Sequence, residues 1–420
     1  MKGLIDFLNK SVNEYLAVEN ICKILDEAGF TYLDPSKKWA LEKGGNYYLV
    51  KDQSSVIAFK IGLKFENKGF NIVASHLDSP CLKIKQNGVI SIRNNTVLNT
   101  EVYGGPILQT WFDRPLSLAG RVIIKEGNSL VSKIVNIEED LFIIPTAAIH
   151  LKKEFTTNPQ KDLLPLASLT KYENINEILE KLLGIEKEKI VSFDLSVYNR
   201  DKAKLVGLEK ELLVSPRIDN LECAYTSLQA FINSVNEEKV NVYAAFNNEE
   251  VGSNTKQGAD STFLYDVLRR IVKDEEELNI NLANSFLVSA DNAHAQHPNY
   301  MELSDSTNYV VMNQGIVIKH NSNQRYTTDG VSSAIMISIC EKANVPFQHY
   351  TNRSDQRGGG TLGAISSSHV SIHSVDIGLP QLSMHSANET AGAKDMEFMV
   401  KALEEFYKSN LIFEKDKINM

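Results

Sequence analysis

Cysteine is scarce and scattered in this chain. Cys22, Cys81, Cys223 and Cys340 are the only four in 420 residues, and no two form a Cys-x-x-Cys pair. That spacing argues against a cysteine-type structural zinc or a disulfide framework; it leaves reduced core thiols and a cytoplasmic location as the expectation. Basic charge is also short: 44 Lys and Arg face 53 Asp and Glu, a formal net charge of −9, so neither nucleic acid nor a membrane is an expected partner. Long apolar runs are missing too. Between Met1 and Phe30, Leu4, Phe7, Leu8, Tyr15, Leu16, Ile21, Ile24 and Leu25 recur at helical spacing, but Lys2, Asp6, Lys10, Glu14 and Glu19 interrupt them. The segment is expected to be one amphipathic helix, not a signal peptide or a span. No Gly-x-Ser-x-Gly elbow is present, and Gly358-Gly359-Gly360 lacks the Lys-Ser/Thr of a P-loop, leaving a tight loop close to substrate.

What is present is the balance of a globular protein, 43% hydrophobic and 23% charged, at a length that suggests two or three domains. The character of the sequence changes twice. Residues 85–214 hold β-type runs such as Val89–Ile92, Arg121–Ile124 and Leu141–Ile144 between Gly, Asn and Pro turns, with one helix expected over Asn174–Leu183. On either side, apolar strands alternate with helical segments. The expectation is an α/β fold: a mixed-sheet α/β/α catalytic domain made of residues 1–84 and 215–420, with a β-rich domain inserted at 85–214.

Four of the expected α/β strands end in a carboxylate or an imidazole. Asn71–Ser75 runs into His76-Leu77-Asp78, and Val240–Phe246 into Asn247-Asn248-Glu249-Glu250. Ser285–Ser289 runs into Ala290-Asp291-Asn292-Ala293-His294, and Ser371–Gly378 leads through Leu379-Pro380 to Met384-His385. Ligands of open parallel sheets bind beyond the carboxyl ends of the strands, so these four tips can share one crevice. His76 with Asp78 two residues on suits a metal ligand and its orienter, or a plain strand-end histidine beside a capping Asp. Glu249-Glu250 suits a ligand next to a general base, or a solvated helix start. Asp219, between Pro216 and a helix expected over Leu221–Ala230, reads as a cap or as a carboxylate bridging two ions; Asp291 carries the same ambiguity. Together two histidines and three carboxylates make an oxygen-rich set suited to zinc, cobalt or manganese. Two such ions bridged by a carboxylate can hydrolyse an amide. His369 and His373 share helical spacing but lack the Glu of a His-Glu-x-x-His motif, and their β-branched flanks argue against a continuous helix.

Across nearly the whole chain, in order, the motifs resemble those of the aspartyl aminopeptidase and aminopeptidase I family of di-zinc metallo-aminopeptidases. They include Ala74–Pro80, Gly104-Gly105, Trp111–Arg114, Ala148–Leu151, Asn158–Pro165, Ser215–Leu221, Asn248–Ser253, Asp291–His294, His297–Asn299, Asn323–Tyr326, Val375–Gly378 and Gln381–Ser386. The resemblance implies that His76, Asp219 and Asp291 hold one zinc, that Asp219, Glu250 and His385 hold the other, and that Asp219 bridges them. It implies Glu249 as general base and Asp78 as orienter of His76. It places His294, Lys319 and Met384 in the pocket for the substrate's first side chain. His150, in the inserted domain, would approach a neighbouring protomer's site and touch either substrate or metal. The inserted domain would dimerise, and dimers would build a dodecameric shell acting on peptides with a free N-terminus. Two other readings stay open: a di-metal deacylase or amidase, and an assembly protein that has lost turnover.

Overall fold

In the computed structural model, which describes all residues except 154 and 155, a nine-stranded mixed sheet carries the four expected strands side by side. Val240–Phe246, Phe70–His76, Phe286–Ala290 and His373–Gly378 are adjacent and mutually parallel, so their carboxyl ends lie on one edge. Side chains alternate along them. Tyr243 and Ala245 pack with the helices Glu14–Glu27, Ile218–Asn233 and Asp395–Lys408, whereas Val242, Ala244 and Phe246 pack with Phe263–Ile271 on the opposite face. Burial on both faces explains why these strands read as largely apolar runs. The architecture is a mixed α/β fold with several mixed sheets.

A six-stranded antiparallel sheet takes all its strands from between Cys81 and Asn199 and has its own core, including Leu82, Leu98, Trp111, Leu118, Val122, Phe193 and Val197. A third sheet leaves no recognisable pattern in the sequence. It joins Lys204–Val206 and Leu212–Ser215 to Glu389–Gly392, Pro380–Leu382 and Ala293–His294. This sheet carries the chain into Asp219, Asp291 and His385 from their flanks.

Two local expectations need correction. The N-terminal segment is two helices, Lys2–Lys10 and Glu14–Glu27, because the Asn13 side chain accepts from Leu16 N–H at 3.0 Å and starts a new helix. Leu141–Ile144 is not a strand; it contributes only the isolated bridges Leu116–Phe142 and Ile143–Leu166 before Pro145 turns the chain. Among the described residues no helix is long and apolar enough to cross a membrane.

Lys239, just before the strand Val240–Phe246, is fully buried, and its Nζ donates to Asn284 O at 2.7 Å. Burial, helped by the charge of Lys68, pushes its pKa down to about 7. The unfolded amine keeps its proton up to about pH 10.4. Below pH 7 the cost of burying the cation is fully present; between 7 and about 10 the folded state sheds its proton first, so stability rises with pH. Lys239→Met should remove this slope. Melting temperatures of both proteins across that window should show the wild type gaining on the variant, by a few kcal/mol at most. A constant difference would count against it.

Candidate metal centre

Each strand tip delivers its side chain through a short irregular step. His76 ends its strand and is 1% exposed. Asp219 lies in the first turn of the helix Ile218–Asn233, but it and Asn220, joined by a cis peptide bond, have non-helical backbone angles. Neither caps the helix. Asn220 Nδ2 instead donates to Ala290 O at 2.8 Å, beside Asp291. Glu249 and Glu250 form a single turn after Asn248, whose φ of +63° reverses the chain as it leaves the strand.

The two carboxylate oxygens of Asp219 face two different histidines. Oδ1 lies 3.5 Å from His76 Nε2, and Oδ2 lies 3.4 Å from His385 Nε2. His76 Nε2 is also 3.6 Å from Asp291 Oδ1, and His385 Nε2 is 3.4 Å from Glu250 Oε2. These gaps exceed the roughly 2.7–3.2 Å of a good N–H···O bond. They suit two donors that each sit about 2.0–2.1 Å from one ion at tetrahedral angles, which leaves about 3.3 Å between them. Asp219 Oδ1 and Glu250 Oε1 are buried without a hydrogen-bond partner, and donor atoms of His76, Asp219 and Glu250 all lie within 4.8 Å of one another. Buried acceptors left unmatched are costly unless a cation completes them. The donor set around Asp219 therefore fits a divalent cation.

The charges respond to this crowding. Burial opposes protonation of His76, but Asp219, Asp291 and Asp78 outweigh it and raise its pKa well above the ordinary value. His385 is pushed up to about 10, since Asp219 and Glu250 overcome its burial. Asp219 is lowered by the two imidazoles despite burial. Glu250 moves up through burial and the Asp219 charge, and Glu249 is pushed up to about 8 by burial and its acidic neighbours, with His76 opposing. Each shift is the response of acids and imidazoles crowded together away from water.

The ring of His76 is held from behind. Its Nδ1 lies 3.0 Å from the main-chain O of Asp78 and 3.5 Å from Asp78 Oδ1. The Asp78 carboxylate has further work: it accepts the N–H groups of Glu249 at 3.2 Å and Glu250 at 3.1 Å, and the Tyr103 hydroxyl at 2.6 Å. One carboxylate thus ties the histidine strand to the Glu-Glu turn. Glu389, buried, plays the matching part opposite by accepting Asp219 N–H at 2.9 Å and His385 N–H at 2.7 Å. Neither Tyr103 nor Glu389 was singled out from the sequence. Tyr103 comes from the six-stranded sheet and nothing local marks it. Glu389 follows His385 by four residues, and its proximity to a suspected ligand was the one available signal. The segment after Tyr103 also closes on the site. Gly105 O lies 3.0 Å from His385 Nδ1, and Ile107 N–H donates to His385 O at 2.9 Å. Gly104, at φ +70°, passes so near that a Cβ there would sit 3.1 Å from Glu250 Cβ.

The cluster opens into a cavity of about 380 Å³ lined by His76, Asp219, Glu249, Glu250, Asp291 and His385, with His294, Lys319, Tyr326, Tyr350, Met384 and the Gly359-Gly360-Thr361 loop. His294, Lys319 and Met384 are therefore brought to the cluster. Lys319 is 2% exposed, donates to Asn292 O at 2.7 Å and stands 3.7 Å from Asp291 Oδ2. His150 is not brought in. It sits in an exposed turn and is absent from the described lining. His369 ends a helix and bonds Asp260 at 2.6 Å, while His373 begins a strand; they share no site.

Comparison with known proteins places the chain in a family context. Residues 7–407 match the family model described as aminopeptidase I zinc metalloprotease (M18). A probable M18 family aminopeptidase 2 of Clostridium acetobutylicum is 43% identical over 97% of this chain and 98% of its own length. Among solved structures, a chain in the cryo-EM structure of an Ape4 and Nbr1 complex superposes with a TM-score of 0.94 at 37% identity, covering 97% of this chain and 85% of that one. The mApe1 dodecamer of S. cerevisiae gives 0.86 at 25% identity, over 97% of this chain and 95% of that one.

Proposed function

Because the chain belongs to the M18 family of aminopeptidase I zinc metallopeptidases, we propose that it removes the first residue from peptides with a free N-terminus at a site for two divalent ions. The observation that carries this reading is the placement of Asp219 with one oxygen toward each of two histidines. His76 and Asp291 would complete one ion's ligands, and Glu250 and His385 the other's. Bound there, zinc, or cobalt or manganese in its place, would supply Lewis acidity toward the scissile carbonyl and acidify water. The remaining work belongs to the chain. Glu249 faces the cavity, and none of the described residues hydrogen-bonds its carboxylate, so it is free to take a proton from the attacking water and return it to the leaving amine. Asp78 fixes the Glu249-Glu250 turn and the His76 ring. His294, Lys319 and Met384 shape the space for the first side chain, with the Lys319 charge shared between Asp291 and an incoming group.

The same reading extends to assembly. Residues 85–214 would form the dimerisation domain, and dimers would build a homo-oligomer comparable with the S. cerevisiae dodecamer. The exposed position of His150 suits a contact with a neighbouring protomer, on substrate or on metal. Four free cysteines fit a reducing cytoplasm.

A panel of amino-acid arylamides and their N-acetylated counterparts, assayed with added zinc, cobalt or manganese and after chelation, tests the proposal. Free-amine substrates should be cleaved, chelation should abolish cleavage, and metal should restore it. Equal cleavage of the N-acetylated set would indicate a deacylase or amidase. No turnover with any metal would indicate the silent assembly protein.

A further inference from the structure

The chain is acidic overall, yet five cations gather around one surface groove. It lies between the Pro35–Trp39 loop, the strand Asn46–Lys51 and the helix Phe263–Ile271, has a volume of about 810 Å³, and shares no lining residue with the metal-site cavity. Lys38, Lys51, Arg269, Arg270 and Lys273 line it, against a single acid, Asp266, which already accepts from Thr262 Oγ1 at 2.8 Å. Among the described residues none of the five cations has a carboxylate within 4.0 Å, although ion pairs are frequent elsewhere on this chain, Lys37 with Asp34 next door included. Arg270 is spent on structure: it donates to Pro35 O at 2.8 Å and to Lys37 O, and its guanidinium lies 3.6 Å from the Trp39 ring centre. Among the described residues the other four are in no ion pair, and Lys51 Nζ only stands 5.8 Å from the Phe263 ring centre. Trp39, Leu49, Phe263 and Val267 add buried apolar lining.

We propose that this groove is a docking site for a short acidic peptide segment of a partner protein. Unpaired Arg and Lys at the edge of an apolar groove are the complement of a few carboxylates flanking an apolar side chain. Nucleic acid fits less well. Sites for single strands offer aromatic faces on which bases stack, whereas Trp39 is 8% exposed and covered by Arg270, and Phe263 is 6% exposed. A long polyanion would also meet the field of a chain with net charge −9. A membrane surface would need protruding apolar side chains to insert, and the lining here is concave and its apolar residues buried.

The test uses the full metal-loaded protein and an N-acetylated, C-terminally labelled peptide of alternating Glu and Leu, which offers no free amine for cleavage. Fluorescence anisotropy at about 20 mM salt should show saturable binding that weakens markedly at about 300 mM. A peptide with Gln for every Glu should bind at least tenfold more weakly. The variant Arg269→Glu/Lys273→Glu changes two exposed side chains, and should lose at least tenfold in affinity while keeping wild-type turnover of small arylamides. Absence of saturable binding at low salt, or equal binding by the variant, would overturn the proposal. So would tighter binding of a single-stranded oligonucleotide of equal charge. A variant whose sedimentation shows altered assembly would reassign the groove to contacts between copies of this chain, which also overturns it.

Discussion

Glu249→Gln is expected to keep its metal and lose turnover by about a thousandfold, within the range of roughly 10²–10⁴ that a positioned general base supplies. The geometry separates the two functions of neighbouring residues. Glu250 turns an oxygen toward His385 Nε2 at 3.4 Å, whereas Glu249 lines the cavity without a histidine partner. Its main chain is pinned by Asp78 Oδ1, and the amide of Gln leaves that N–H untouched, so the turn should persist. The substitution removes a proton acceptor and little else. The loss should therefore fall on kcat, with KM changed by no more than a few fold and two ions per chain still found by elemental analysis. Undiminished turnover would place the base elsewhere. Loss of metal would make Glu249 a ligand or a structural support.

The strand tips were legible in the sequence because a parallel strand buried on both faces leaves an apolar run, and the polar residue that ends it stands out. His76, Glu250 and Asp291 each follow such a run, and the pairing of Phe70–His76 with its two neighbours sets the tips side by side. Asp219 was less legible. Its sequence context reads as a helix cap, and only the non-helical backbone at Asp219 and Asn220 frees both oxygens for the cluster. Tyr103 and Glu389 escaped altogether, since the bond from Tyr103 to Asp78 leaves its own sheet and the bond from Asp219 N–H reaches a residue 170 positions away, and neither leaves a periodic trace. The break at Asn13 was missed because the apolar spacing on either side stays in phase while one side chain caps a new helix. The groove around Trp39 shows the limit of net charge as a guide. The total is −9, yet five cations drawn from separate segments meet there. Charge totals carry no information on placement; packing decides it.

Asp219→Asn should damage both ion sites at once. The carboxylate offers one oxygen to the His76 side and the other to the His385 side; an amide has one oxygen and carries no charge, so at best it serves one of them. Partners that merely orient a ligand are worth about 10–100-fold in metal affinity, and a shared ligand acts on two ions. Metal content should fall below two per chain at stoichiometric zinc, and turnover should drop by at least about a thousandfold. A readout independent of activity comes from linkage. Ions that bind only the folded state raise its stability by RT ln(1 + [L]/Kd), so zinc should raise the melting temperature of the wild type far more than that of the variant. Substitution at Asp291, which of the two histidines faces His76 alone, should instead weaken one site and leave part of that rise. If Asp219→Asn retained two zinc ions per chain and the full melting shift, Asp219 would not be a bridge, and the two histidines would belong to independent sites.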